Sequence, residues 1–401
     1  LDVGMGYVQE RIAERGRFAI KAGAPREDVI VVSGNQALAM AAIAAGCRHY
    51  FGYPITPATD IMEFLAAELP KIGGSVVQAE DEIAAAGMVL GASYGGVRAM
   101  TATSGPGLSL MVEMLGLGAM AELPGVFVDV QRAGPSTGMP TKHEQGDLHL
   151  AVSGGHGEIQ RIVLAPTSVE DCFYQAINAF NLAEQYQMPV ILLSDTVLAT
   201  RTERIRRPDL SAIELKQRLL YDPNGGGGRR AAERFRRYAV TPTGVSPMSI
   251  PGQPGGQYVA TGLEHSDLGR PRYDPATHSM MTEKRFKKLE MATSDAPPPD
   301  RFGDPAAQVG IVCWGSTAGA VKEAVDAAGE KGMAVDAIAP KMVWPLPDHQ
   351  LGEFMRDKRV VIVPEVNYSG QFAELLAARY KRDVVKLNSY GGVPFRVAQI
   401  A

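Results

Sequence analysis

Between residues 28 and 200 the chain alternates short β-branched runs with longer stretches of alanine, glycine and leucine, and no other feature limits the fold so strongly. VIVVSG, HYFGYP, GSVVQAE, RAMTATS, GVFVDVQ and MPVILLSD read as strands, with helical stretches over 35–46, 60–69, 82–94 and 169–187 between them. A strand that is apolar along its whole length must be covered on both faces. Helices alternating with such strands supply that cover in a parallel α/β sheet. The pattern returns from 306 to 401 as QVGIVCWGS, a helix over 318–331, AVDAIAP, a helix around 349–356, RVVIVPE, a helix over 370–381 and DVVKLN. The expected architecture is α/β, with a parallel-sheet domain over 28–205 and a smaller α/β domain over 306–401. A lead segment, 1–27, precedes them; it lacks the apolar core of a secretory signal and begins without a methionine.

Residues 206–305 break the alternation with DPNGGGGRRAAERFRRY, TPTGVSPMSIPGQPGGQY and DAPPPD. Glycine and proline at this density suit a disordered linker. Phe235, Tyr238, Tyr258 and Tyr273 are anchors that a pure linker rarely carries, so an extended excursion wrapping a domain or a partner is the favoured reading.

Composition closes off several classes. A formal charge of -4 on 401 residues leaves no basic footprint for nucleic acid. No apolar run approaches the ~20 residues that span a bilayer. Cys47, Cys172 and Cys313 stand apart, without CxxC or Cys/His spacing. The chain is thus expected to hold no Cys-ligated cluster or structural zinc, no metal site and no disulfide framework, as suits a reducing cytoplasm.

Four strings carry chemistry. In QAEDEIAAAGMVLG (78–91) a strand ends near Gln78 and a small-residue helix opens at Glu82, with Glu80 and Asp81 beside it. Acids in a first helical turn are ordinary caps, and also groups that a helix dipole can poise. In GYPITPAT (52–59) two prolines fix the backbone around Thr56 at a strand's C-terminal end, where open α/β sheets bind ligands; Thr56 can cap the next helix or donate to a ligand. TATSGPGLSL (101–110) ends a strand in a Gly/Pro turn at Ser104 and Gly105 that exposes backbone amides. In FVDVQRAGPSTGMPTKHEQGDL (127–148) Arg132 directly follows an apolar strand, so its guanidinium belongs at the sheet edge and suits a carboxylate. His143 lies in the same loop, and His143, His149, His156 and His265 have no metal-ligand spacing; each reads as a packing or surface residue.

Taken in order, these strings resemble the α subunits of 2-oxoacid:ferredoxin oxidoreductases, most closely the 2-oxoglutarate type, over about residues 31–380. RYAVTPTGVSPMSIPG, TGLEH, MMTEKRFKK, KMVWPLP and VPEVNYSGQ fit as well. The resemblance implies a thiamine-diphosphate pyrimidine-binding-type domain followed by a transketolase C-terminal-type domain. It implies reversible conversion of a 2-oxoacid, coenzyme A and oxidised ferredoxin to acyl-CoA, carbon dioxide and reduced ferredoxin. Glu82 becomes the glutamate that bonds the cofactor's aminopyrimidine and activates its thiazolium, with Glu80 as the alternative register. Ser104 and Gly105 border the cofactor, Thr56 and Arg132 meet the 2-oxoacid carboxylate, and Tyr53 and Lys142 complete the substrate set. The diphosphate-binding GDG…N string is missing, so Mg2+, the [4Fe-4S] cluster and half of the cofactor site are expected on a β subunit, in an (αβ)2 heterotetramer. The γ domain of this family does not fit in residues 1–27 and is expected to be separate, lost or absent. Pyruvate and branched-chain 2-oxoacids stay open as substrates. So does a different class, a non-catalytic scaffold of the same fold.

Overall fold

The computed structural model describes residues 2–11, 23, 26–223 and 234–401, so the glycine run at 225–228 lies outside the described residues. Helix α1 (Asp2–Arg11) is followed by β1 (Val29–Ser33), α2 (Gly34–Ala44), β2 (His49–Gly52), α3 (Thr59–Glu68), β3 (Ser75–Gln78) and α4 (Glu82–Tyr94). Next come β4 (Ala99–Thr103), α5 (Gly105–Met120), β5 (Gly125–Gln131), α6 (Leu148–Ser153), β6 (Ile162–Leu164), α7 (Val169–Tyr186), β7 (Pro189–Asp195), α8 (Thr196–Thr200) and β8 (Thr202–Arg206). The last part holds α9 (Pro275–Ala292), β9 (Asp300–Gly303), β10 (Val309–Val312), α10 (Thr317–Glu330), β11 (Asp336–Ala339), β12 (Met342–Trp344), α11 (Asp348–Asp357), β13 (Val360–Glu365), α12 (Gln371–Tyr380) and β14 (Val385–Asn388).

A seven-stranded sheet runs in the order β12-β6-β7-β5-β4-β2-β3, parallel throughout except for β12. Its central strands β4, β5 and β7 are buried at every position, which explains their largely apolar sequences. Helices α2 and α7 cover one face, packing Leu38, Phe173 and Phe180 with Val128 and Leu192. On the other face Val89 of α4, Leu115 of α5, Phe127 and Ile191 belong to one core with Trp314, Phe354 and Phe372 of the second unit. The smaller sheet, β14-β13-β10-β11-β9, is parallel but for β9.

Two strands differ from the sequence expectation. VIVVSG forms an antiparallel ribbon with β8 rather than a strand of the parallel sheet. Val31 at its centre is 68% exposed, so its β-branched residues serve a half-covered ribbon. MVW, which carried no strand reading, adds β12 antiparallel to β6, and the chain returns from the second unit to close the first sheet's edge.

The Pro/Gly-rich stretch is held down by polar anchors as well as aromatic ones. Phe235 and Tyr238 are buried, and Tyr258 bridges them to Tyr94 of α4 at centroid distances of 5.9–6.0 Å. Tyr273, by contrast, is 79% exposed and anchors nothing. Helix α9 carries Lys284 and Lys288 to the wholly buried Glu122, at 2.6 and 2.9 Å. Arg218 grips buried Glu184 of α7 through two bonds of 2.6 Å.

Candidate active site

Strands β3, β2, β4 and β5 lie side by side and end at one edge of the large sheet, and the candidate residues occupy the turns that leave it. Asp81 caps α4 by accepting from the Ala84 N–H at 2.7 Å, which leaves Glu82 free of that duty. The two glutamates left open by spacing part company: Glu80 is exposed, whereas Glu82 is 6% exposed. The Glu82 carboxylate accepts no hydrogen bond from the described residues and packs against the first turn of α5. A Cβ on Gly107 would stand 2.6 Å from its Oε1 and would also strike the Thr103 hydroxyl. The Ser104 hydroxyl, at the same turn, is buried without a partner. A Cβ on Gly105 would meet the Asp147 carboxylate at 2.7 Å. Only glycine fits at 105 and 107, because two acids press on this helical turn.

Arg132 follows β5 and is 7% exposed. Its Nη1 donates to the Thr56 carbonyl at 2.6 Å, and its Nε is buried without a partner. Arginine and the GYPITP turn are thereby joined, though through the threonine's backbone; its side chain is exposed. Tyr53 is 41% exposed on the same turn. Lys142 is tied by its backbone to the residue after Arg132, its carbonyl accepting from the Ala133 N–H at 2.9 Å; its stem lies near Gly392, and its exposed ammonium has no hydrogen bond or ion pair to the described residues. Glu82, Gly107, Gly105, Asp147, Arg132 and Thr56 form a continuous arc.

The loop after Arg132 is templated by the second unit. Gln145, fully buried, donates from Nε2 to the Trp314 carbonyl (2.9 Å) and accepts at Oε1 from the Thr317 hydroxyl (2.7 Å) and the Val366 N–H (3.1 Å). Its own N–H donates to the Val366 carbonyl at 2.6 Å, and Asn367 donates to its carbonyl at 2.9 Å. His143 is buried as a packing residue, its ring between Asp195 at 3.5 Å and Ser316 at 3.4 Å.

The electrostatics of the arc centre on two residues that sequence reasoning passed over. Burial, and then Glu144, lift the Asp147 carboxyl to about 6 against the opposing charge of Arg132. Burial, and then the nearby Asp147, holds Asp129 well above the usual carboxylate range. An acid inside the apolar string GVFVDVQ was the available signal for Asp129, since a buried strand has no ordinary use for one. Nothing in the sequence singled out Gln145, whose partners lie some 170–220 residues away in the chain. Among the described residues no group of three or more His, Cys, Asp or Glu could hold a metal ion, and no helix is long and apolar enough to cross a membrane.

A family model described as pyruvate flavodoxin/ferredoxin oxidoreductase, thiamine diphosphate-binding, matches residues 40–284. A second, pyruvate:ferredoxin oxidoreductase core domain II, matches 307–400. The 2-oxoglutarate synthase subunit KorA of Methanocaldococcus jannaschii is 38% identical over 90% of this chain and 95% of its own length. The 2-oxoglutarate oxidoreductase subunit KorA of Mycobacterium tuberculosis is 39% identical over 92% of this chain and 56% of its own. Among solved structures, a 2-oxoglutarate:ferredoxin oxidoreductase from Magnetococcus marinus, with 2-oxoglutarate, coenzyme A and succinyl-CoA bound, superposes with a TM-score of 0.91 at 43% identity. It covers 100% of this chain and 68% of that one. A transketolase from Campylobacter jejuni, at 11% identity and a TM-score of 0.52 over 94% of this chain and 47% of its own, is similar in fold alone.

Proposed function

The chain belongs to the 2-oxoacid:ferredoxin oxidoreductase family, and from that premise we propose that it is the α subunit of an enzyme of the 2-oxoglutarate type. The reaction is reversible oxidative decarboxylation of 2-oxoglutarate with coenzyme A, giving succinyl-CoA, carbon dioxide and reduced ferredoxin. The observation that carries this reading is the arc from Glu82 to Thr56, which sets an unpartnered buried carboxylate, a bare helical turn and a guanidinium along one sheet edge.

The donor set fits thiamine diphosphate. A carboxylate with no internal partner, a buried unpartnered hydroxyl at Ser104 and a backbone kept bare at Gly105 and Gly107 are what an aminopyrimidine edge requires. When bound, the cofactor supplies the carbanion chemistry at the 2-keto carbon. Glu82 shares a proton with a ring nitrogen of the aminopyrimidine, in surroundings dry enough to strengthen a charge-assisted bond. Ser104 and Gly105 border the same ring. Arg132 meets the 2-oxoacid carboxylate through the part of its guanidinium not engaged by the Thr56 carbonyl, and the exposed Thr56 hydroxyl donates beside it. Tyr53 walls the entrance. Lys142, further along the edge, offers a point charge to the distal carboxylate of 2-oxoglutarate.

In this reading the rest of the site comes from a β subunit carrying Mg2+ and a [4Fe-4S] cluster, in an (αβ)2 heterotetramer of the cytoplasm that reduces ferredoxin. The missing diphosphate-binding string and the three separate, buried cysteines support that division. The test is a substrate panel on the co-purified complex, following coenzyme A-dependent reduction of methyl viologen. Turnover of 2-oxoglutarate well above that of pyruvate and 2-oxoisovalerate is expected. Preference for pyruvate would overturn the substrate, and no turnover of any 2-oxoacid by a cofactor-loaded complex would favour the scaffold.

A further inference from the structure

Strand β5 carries a residue that a wholly buried strand does not ordinarily tolerate. Asp129 lies between Val128 and Val130 with no exposed surface, and neither of its carboxylate oxygens has a hydrogen-bond partner among the described residues. Its in-register neighbour on β4 is Thr103, whose hydroxyl lies against Gly107 in the first turn of α5, so Asp129 faces the underside of that turn. Asp147 approaches the same turn at Gly105, and its Oδ2 is likewise buried and unpartnered. Its backbone N–H donates at 3.1 Å to the side chain of Gln131, two residues beyond Asp129 on the same face of β5. The other groups around the pair are Glu82 of α4, Glu144 and Arg132 of the loop, and the orphaned hydroxyls of Thr101 and Ser104.

Asp129 cannot be ionised here, because it has neither exposed surface nor the hydrogen bonds that offset loss of water, whereas Asp147 keeps part of its surface exposed. Their surroundings differ in charge as well. Both lie against the first turn of α5, but Asp147 is also within the field of Arg132, which favours an anion, and no cation acts on Asp129. We propose that Asp129 and Asp147 are a one-proton carboxyl pair, Asp129 neutral and Asp147 anionic, that positions Arg132 and the first turn of α5 for the 2-oxoacid. The pKa directions given above agree with that division of charge. Both acids are positioning residues, and the inference rests on the substrate reading of Arg132.

Three variants of the α subunit in its complex test this. Asp129→Asn preserves a neutral group and should keep KM and kcat within about threefold of wild type, whereas Asp147→Asn should raise KM about tenfold or more with little change in kcat. Thiamine-diphosphate content should be unchanged in both. Difference infrared spectra of the complex at neutral pH should show a protonated carboxyl C=O stretch in wild type and in Arg132→Ala that vanishes in Asp129→Asn. No such band in wild type, or its survival in Asp129→Asn, overturns the shared proton. A folded Asp129→Asn as impaired as Asp147→Asn overturns the neutral assignment. If Arg132→Ala leaves KM unchanged while the band persists, the substrate reading has failed and the proton pair has not.

Discussion

Replacing Arg132 by alanine should separate the proposed substrate side of the site from the cofactor side. The guanidinium holds the Thr56 carbonyl at 2.6 Å and is almost fully buried, with Nε unpartnered. Two losses therefore add. A charge-assisted hydrogen bond to a carbonyl contributes ~1.5–3 kcal/mol, and its removal loosens the turn that presents Thr56. Truncating one member of a buried charged contact costs ~2–5 kcal/mol, much of it from leaving the other charge unpaired. Taking the second figure alone, kcat/KM for the 2-oxoacid should fall between about 30-fold and a few thousand-fold, at ~1.4 kcal/mol per decade. Thr56→Val removes one neutral donor without cutting the Arg132 contact, which is made to the backbone, and should cost only ~0.5–1.5 kcal/mol. Arg132→Lys should rescue poorly, since one ammonium cannot serve both the turn and a carboxylate as a fork does. The assay is 2-oxoacid-dependent dye reduction by the purified complex, with thiamine diphosphate measured in each preparation. A fall in cofactor content with KM unchanged would refute the assignment and move Arg132 to the cofactor or the subunit interface.

Glu82→Ala should lower turnover by at least ~10²–10⁴-fold with the melting temperature preserved, because the carboxylate takes no part in capping α4; a dead Glu80→Ala beside an active Glu82→Ala would shift the register by two residues. Gln145→Ala strips the loop of its side-chain bonds to Trp314, Thr317 and Val366 and should destabilise the chain by ~1–3 kcal/mol, seen in urea unfolding, while raising KM; an unchanged KM would mean that the loop holds its shape unaided. Glu122→Gln leaves Lys284 and Lys288 buried without their counter-charge and should cost ~3–5 kcal/mol by thermal or urea unfolding. Those cations hold the Glu122 carboxyl far below its ordinary 4.5, against the opposing effect of burial. Its contribution is thus complete above about pH 4.5 and lost as pH falls through the lower folded value. The variant should show a flatter acid limb in stability against pH, and an acid limb identical to wild type would contradict this.

The helices over 82–94 and 169–187 were legible to within a residue because each opens on a side-chain cap, Asp81 or Ser168, and carries an unbroken buried face. The strands ending at Thr103 and Gln131 were equally plain, being short runs dominated by apolar and β-branched residues. What local pattern could not supply was partnership at a distance. β1 has the composition of a central strand yet pairs with β8, because nothing in five residues encodes which neighbour lies alongside. Glu82, Arg132 and Thr56 could be placed at strand ends by pattern, but their linkage through Gly107, Gly105 and Asp147 depends on how the turns close. Helix α9 escaped notice for another reason. Half of its buried face is Lys284, Arg285 and Lys288, beside Met281, Leu289 and Ala292, so hydrophobic periodicity is broken where a cation is what the core receives.

Strand β12 has a consequence for the order in which the molecule can be made. β6 ends at Leu164, but the strand that closes its free edge begins only at Met342. During synthesis the large sheet must wait, with a three-residue edge of bare N–H and C=O groups, until the second unit has emerged as far as β11 and the strand after it. An open edge on a largely apolar sheet invites pairing with another nascent chain. The excursion and α9 emerge during that interval and brace the same sheet from the side, through Glu122 and the aromatic cluster around Tyr258. A fragment ending before Met342 would therefore be an aggregation-prone sheet with one side unfinished, however complete its share of the proposed site residues.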